Sequence, residues 1–221
     1  MARLEDHHKA LELRKQGMSY SQIKSILGVG KSTLSPWLKD YPLSRERINE
    51  LRGHSEQRIE RFRQTMRKKR SDRLAGVYAL QKKTVLPLSR QELFLAGLML
   101  YWGEGTKAGM SALFLANTDP SMIKFFIRWV TQSLGIPKSR LRIRLHLYQD
   151  MEVKKELAYW SQELKIPISQ FSSSYIKKTS SERINYKGGF GHGTCNIGIN
   201  SVFLKEKVLM SIKAITDAYS L

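Results

Sequence analysis

Apolar residues recur along this chain with two periods, and the changes of period mark out its elements. Residues 93–102 are apolar or glycine without a break, and the run turns polar at Gly103-Glu104-Gly105. This pattern predicts a helix with Ser89 as its cap. At ten residues the run is far short of the roughly 20 needed to span a bilayer. Such a helix is expected to be buried nearly all round, in its own core or against a partner. A period of two follows. Leu141, Ile143, Leu145 and Leu147 alternate with Arg142, Arg144, His146 and Tyr148, and Cys195, Ile197 and Ile199 alternate with His192, Thr194, Asn196 and Asn200. Two further strands are predicted over 111–117 and 170–178. The alternation implies a sheet with helices on an apolar face and an open, basic, hydrogen-bonding face.

A helix–strand unit is repeated within this region. Asp119, Trp129 and Ile136-Pro137 recur as Asp150, Trp160 and Ile166-Pro167. Each Asp is expected to cap a helix and each Trp to anchor the core.

Residues 7–40 read as three short helices. Ala10, Leu11 and Leu13 mark the first, which stops at Gly17. Ser19 or Ser21 caps the second, with Ile23, Ile26 and Leu27 at helical spacing, and Gly28-Val29-Gly30 makes a tight turn. In the third, residues 31–40, Leu34, Trp37 and Leu38 face inward. Pro36 either interrupts that helix or, with Ser35 as cap, opens a shorter one. Residues 44–83 lack proline and are rich in Arg, Lys, Glu and Gln, which predicts a largely helical connector broken near Gly53. Ile59, Phe62 and Met66 form its one apolar stripe, and Arg67-Lys68-Lys69-Arg70 is the densest basic cluster of the chain.

Composition narrows the partner. The 221 residues carry 38 Lys+Arg against 19 Asp+Glu, a net charge of +19. That surplus points to a polyanion, nucleic acid before membrane. Cys195 is the only cysteine, which excludes an internal disulfide and a multi-cysteine zinc site. The first ten residues have no apolar run of the signal-peptide kind, so a cytoplasmic, nucleoid-associated setting is expected. No HExxH, nucleophile elbow or phosphate-loop spacing occurs, and no small-molecule cofactor is expected. The stretch 179–193 is polar, basic and glycine-rich, and is expected to be a loop that orders on DNA.

Two resemblances follow from these residues. SQIKSILGVGKSTLSPWLKD resembles the helix-turn-helix of resolvases and transposases. That resemblance implies a DNA-binding module over residues 1–43, with Lys31, Ser32, Thr33, Ser35 and Lys39 toward a major groove. LFLAGLMLYWGEG resembles the signature helix of LAGLIDADG homing endonucleases, with Glu104 on the metal-binding acid and Gly105 on the closing glycine. The implied fold is α+β, with a basic helical connector over 44–90 and a LAGLIDADG-like saddle over 91–221. Only one motif is present, so the resemblance implies a homodimer joined through Ala96, Gly97, Leu100 and Gly103. It further implies double-stranded DNA as substrate and Mg2+ (or Mn2+) held by two copies of Glu104 for phosphodiester hydrolysis. The basic residues expected on DNA are Arg67, Lys68, Lys69, Arg70, Arg142 and Arg144. His146, Tyr148, His192, Thr194 and Asn196 join them on the sheet. A catalytically silent regulator on the same scaffold, or an RNA-binding protein, are the alternative functions.

Overall fold

The computed structural model describes residues 2–51, 53–178 and 191–219. The chain is α+β and divides into two compact units, Met1–Leu86 and Pro87–Leu221.

Among the described residues the first unit holds five helices: α1 (Ala2–Lys15), α2 (Tyr20–Leu27), α3 (Lys31–Trp37), α4 (Arg45–Glu50) and α5 (His54–Val85). Ser19, not Ser21, caps α2, and Gln22 returns the bond to the Ser19 backbone. Gly28 ends α2 in the left-handed region at φ +65°, where a glycine avoids the Cβ clash. Helix α3 begins at Lys31, so Pro36 lies in its last turn instead of opening a later helix. The helix also stops at Trp37, short of residue 40. Ala10, Tyr20, Ile23, Leu34 and Leu38 form the core, whereas Ile26 is 56% exposed.

The expected connector is not a separate segment. Its apolar stripe does not pack, since Phe62 is 63% and Met66 48% exposed. A polar stripe at the same helical spacing packs instead: Glu56, Glu60, Arg63 and Arg67. Arg14 donates to both oxygens of Glu60 at 3.0 and 2.9 Å, and Glu60 also accepts from the Tyr20 amide at 3.0 Å. The pair is buried, so removing one partner would strand the other's charge at a cost of about 3–5 kcal/mol. Residues 44–86 thereby group with the N-terminal helices. Beyond Arg67 every residue of α5 is exposed.

The second unit runs α6 (Arg90–Glu104), β1 (Ala112–Asn117), α7 (Pro120–Gln132), β2 (Arg142–Tyr148), α8 (Val153–Leu164), β3 (Phe171–Lys177), β4 (Thr194–Asn200) and α9 (Val202–Tyr219). The sheet order is β1-β4-β2-β3. β4 is antiparallel to both neighbours, and β2 and β3 are parallel. The internal repeat explains the parallel pair. In both copies a helix passes through a 3-10 turn, Lys138–Arg140 or Ile168–Gln170, into a strand, so a second copy lays its strand beside the first in the same direction. Asp119 caps α7 through the Ser121 amide. Asp150 does not cap α8, where Glu152 stands at the cap without a side-chain bond. Trp129 and Trp160 are fully buried. All four helices and the inward residues of every strand share one apolar core.

Helix α6 is capped reciprocally by Ser89 and Glu92, but it is not buried all round. Gly97, Leu98 and Tyr101 face the core, while Leu95, Met99 and Trp102 are 40%, 41% and 45% exposed. The Trp129 ring lies directly on Gly97, where a Cβ would come within 2.0 Å of it. Gly97→Ala should therefore cost at least about 1–3 kcal/mol through overpacking, read as a lowered melting temperature. Gly103→Ala, where a Cβ meets nothing within 4 Å, should be neutral or stabilising by about 0.4–1 kcal/mol. Equal melting of Gly97→Ala and the unaltered protein would contradict this packing. Among the described residues no helix is long and apolar enough to cross a membrane.

Candidate nucleic-acid interface

The outward positions of the sheet bring one set of side chains together. Antiparallel register places Arg142 opposite Gly198, Arg144 opposite Asn196 and His146 opposite Thr194. On the other side of β4, Ala116 faces Asn196 and Phe114 faces Gly198. A Cβ at Gly198 would come within 2.1 Å of the Leu113 carbonyl oxygen and 2.7 Å of the Phe114 ring, so the glycine lets the β1 backbone and its aromatic side chain approach closely. Toward β3, Ser172, Tyr175 and Lys177 lie beside Arg144, His146 and Tyr148.

The last two β3 positions, Tyr175 and Lys177, escape an alternation argument for a specific reason. The register between β2 and β3 shifts between Arg144 and His146, and the extra residue moves the outward positions from Ser172 to Tyr175. Simple alternation through residues 170–178 puts Tyr175 on the wrong side.

Arg142 and Arg144 are exposed. Their side chains donate to backbone carbonyls: Arg142 to Ser139 and Leu141 at 3.3 Å each, and Arg144 Nε to Ser173 at 3.1 Å. His146 is half-buried and meets the Tyr175 ring edge-on at 5.4 Å. Burial first, then Arg144 and Lys177, hold its pKa below the usual histidine value. Thr194 and Asn196 are half-buried on the same face. Two expected members differ. Tyr148 is 4% exposed, and the Lys177 ammonium lies 4.8 Å from its ring centroid. His192 leaves the face because Gly193, at φ +73°, breaks the alternation. Its ring stacks on Tyr159 at 3.3 Å, and Nδ1 lies 2.7 Å from Glu156 Oε2. The Trp160 indole donates to its carbonyl at 2.7 Å, so His192 ties the start of β4 to α8. The remainder of the expected DNA-ordered loop, residues 179–190, lies outside the described residues.

In the first unit Lys31, Ser32 and Lys39 are exposed and Thr33 is half-buried. Ser35 is taken by an intramolecular partner, accepting from Arg63 at 2.7 Å. Arg67 is likewise engaged, donating to the Tyr20 hydroxyl at 3.1 Å and the Leu38 carbonyl at 3.3 Å. Lys68, Lys69 and Arg70 stay exposed.

Glu104 is exposed at the end of α6, and its Oε2 accepts from Asn117 Nδ2 at 3.3 Å. Among the described residues no three His, Cys, Asp or Glu side chains cluster around a common point. The turn after Glu104 is closed by a lysine that no motif signals. Lys205 is fully buried and donates to the Tyr101 hydroxyl at 2.7 Å and to the Thr106 carbonyl. Burial lowers its pKa, with Lys107 adding to the effect, and burial pushes Tyr101 up to about 12.

Of the four residues expected to join two copies, Gly97 is packed under Trp129 and Leu100 is half-buried against the core. Gly97 is buried, and Leu100 keeps part of its surface exposed. Ala96 is half-buried and Gly103 exposed, flanking the outward stripe of Leu95, Met99 and Trp102. Comparisons with protein-family models, curated proteins and solved structures returned no match.

The rotation of α6 is testable by charge insertion. Leu100→Asp should cost at least about 2 kcal/mol because it loads the core side, and Trp102→Arg should cost clearly less. The reverse order in melting experiments would overturn the assignment of faces.

Proposed function

We propose that this protein binds duplex DNA through the outward face of its sheet, with α2 and α3 acting as a helix-turn-helix in the first unit. The observation that carries the reading is chemical. The outward strand positions offer Arg142, Arg144, Lys177, Asn196, Asn200, Thr194, Ser172 and Tyr175, and none of them is Asp or Glu. A merely solvated face mixes charge signs. This one presents donors to phosphate and to base edges. The exposed Lys68-Lys69-Arg70 and the Lys31, Ser32 and Lys39 positions of the first unit fit the same polyanion.

Duplex affinity should fall steeply with salt. Arg142→Ala or Arg144→Ala should each weaken binding by about 1–3 kcal/mol, and neutralising Lys68-Lys69-Arg70 should flatten the salt slope. A phosphate beside His146 would raise the pKa that burial and its cationic neighbours lower, so the complex takes up a proton. Affinity should then rise as pH falls toward the lowered value His146 has in the free protein. Titrations over salt and pH read all three effects. Equal affinity for single-stranded RNA would favour the RNA-binding reading instead.

A nuclease reading is supported by Glu104, an exposed carboxylate at the end of α6 whose Oε2 accepts from Asn117. A second copy packed on Leu95, Met99 and Trp102 would bring a second Glu104, and a pair of carboxylates suits Mg2+ or Mn2+. The bound ion would supply Lewis-acid activation of water. Trp102→Arg should then convert a dimer to a monomer in light scattering. Glu104→Gln should abolish Mg2+-dependent plasmid cleavage while DNA affinity holds or improves. A wild-type protein that binds DNA as a dimer but never cleaves is a regulator on this scaffold.

A further inference from the structure

Asn196 stands on the central antiparallel strand, level with Arg144 on one side and Ala116 on the other. Its side chain is half-buried, but its Oδ1 is sealed from solvent and meets no hydrogen-bond donor. A buried acceptor without a donor is costly and uncommon in folded proteins. Small residues flank it, with the Phe114 ring lying over Gly198. Its neighbour across the strand pair is Ala116, and the next outward residue along β4 is Gly198. On the other side the Arg144 guanidinium is drawn toward β3 by the Ser173 carbonyl, 3.1 Å away.

We infer that Asn196 is a specificity-determining residue that reads an adenine in the major groove, an inference that rests on the duplex-DNA reading of this face. The chemistry selects the ligand atom. Oδ1 needs a donor, and phosphate oxygens are acceptors only, so the sugar–phosphate backbone cannot satisfy it. In the major groove the exocyclic amino groups of adenine and cytosine are donors, and adenine alone sets an acceptor, N7, beside its amino group. A carboxamide matches that pair with both of its ends, Oδ1 accepting from N6 and Nδ2 donating to N7. The unbound oxygen has no protein bond to lose, and the χ2 torsion of Asn is soft. Rotation of the amide toward a base therefore exchanges an unsatisfied atom for a satisfied one. Arg142 and Arg144, in the adjacent strand, anchor the duplex alongside.

The test uses the full chain and a randomised duplex library. Selected sites should contain an A·T pair at which replacing adenine by purine, which lacks the amino group, weakens binding by about tenfold or more. Replacement by 7-deazaadenine, which lacks N7, should also weaken it. Asn196→Ala should remove the preference at that pair and the penalty for both analogues, while preferences elsewhere in the site persist. Analogues bound as tightly as adenine at every selected A·T pair would overturn the inference without any altered protein being needed. A penalty that survives Asn196→Ala would overturn it as well. In both cases sequence-dependent duplex binding remains and the parent reading stands. Absence of any duplex binding at low salt would instead remove the parent reading, and this inference with it.

Discussion

The contact of Trp129 with Gly97 governs the second unit. Ring and helix backbone approach so closely that no side chain fits between them, and this locks the rotation of α6 about its axis. Tyr101 and Leu98 are thereby turned into the core, and Leu95, Met99 and Trp102 outward. Glu104 follows from the same rotation, reaching solvent at the helix end beside Asn117. Lys205 then fixes the turn beyond it, bonding the Tyr101 hydroxyl and the Thr106 carbonyl in place of any carboxylate. A buried ammonium with two oxygen acceptors keeps the turn in one geometry, because every alternative leaves a charge unsolvated.

The first unit is held by polar rather than apolar geometry at its decisive junction. Arg14 and Glu60 close a buried, two-pronged ion pair, and Arg63 lies 4.0 Å over the Tyr20 ring. These contacts join the first half of α5 to α1, α2 and α3. They also spend two residues that a charge count assigns to DNA or to a groove: Arg67 is committed to Tyr20 and Leu38, and Ser35 to Arg63. The rest of the basic cluster, Lys68 to Arg70, lies where α5 is exposed on every side.

Where a single physical rule dominates, the chain is legible from its residues. β2 and β4 follow from alternation, the caps at Ser89 and Asp119 from a hydroxyl or carboxylate beside an apolar run, and the repeat from its Trp and Ile-Pro spacing, although its second Asp does not cap a helix. Illegible positions are those where two rules compete. The unbroken apolar run of α6 has no polar residue to show that one side is exposed, so Gly97 passes for a partner-facing residue. Glycine at 193 and the β3 irregularity each shift a side chain across the sheet, which removes His192 from the outward face and adds Tyr175. The packing stripe of α5 is charged, and hydrophobic periodicity passes over it. Glu104 is legible as a residue, and the fold places it exposed at the end of α6 beside Asn117.

The central claim is that duplex DNA lies against the outward face of the sheet. Site-directed photocrosslinking tests it directly, because the lone native cysteine, Cys195, is buried and its thiol is pushed up in pKa by that burial. An introduced cysteine should therefore be the one that carries the label. Ser172→Cys places it on the outward face, and Lys154→Cys places it on an exposed position of α8 in the helical layer. With duplex DNA against that face, crosslinks form from position 172 and none above background from 154. Crosslinking from 154 alone, or equally from both, would contradict it.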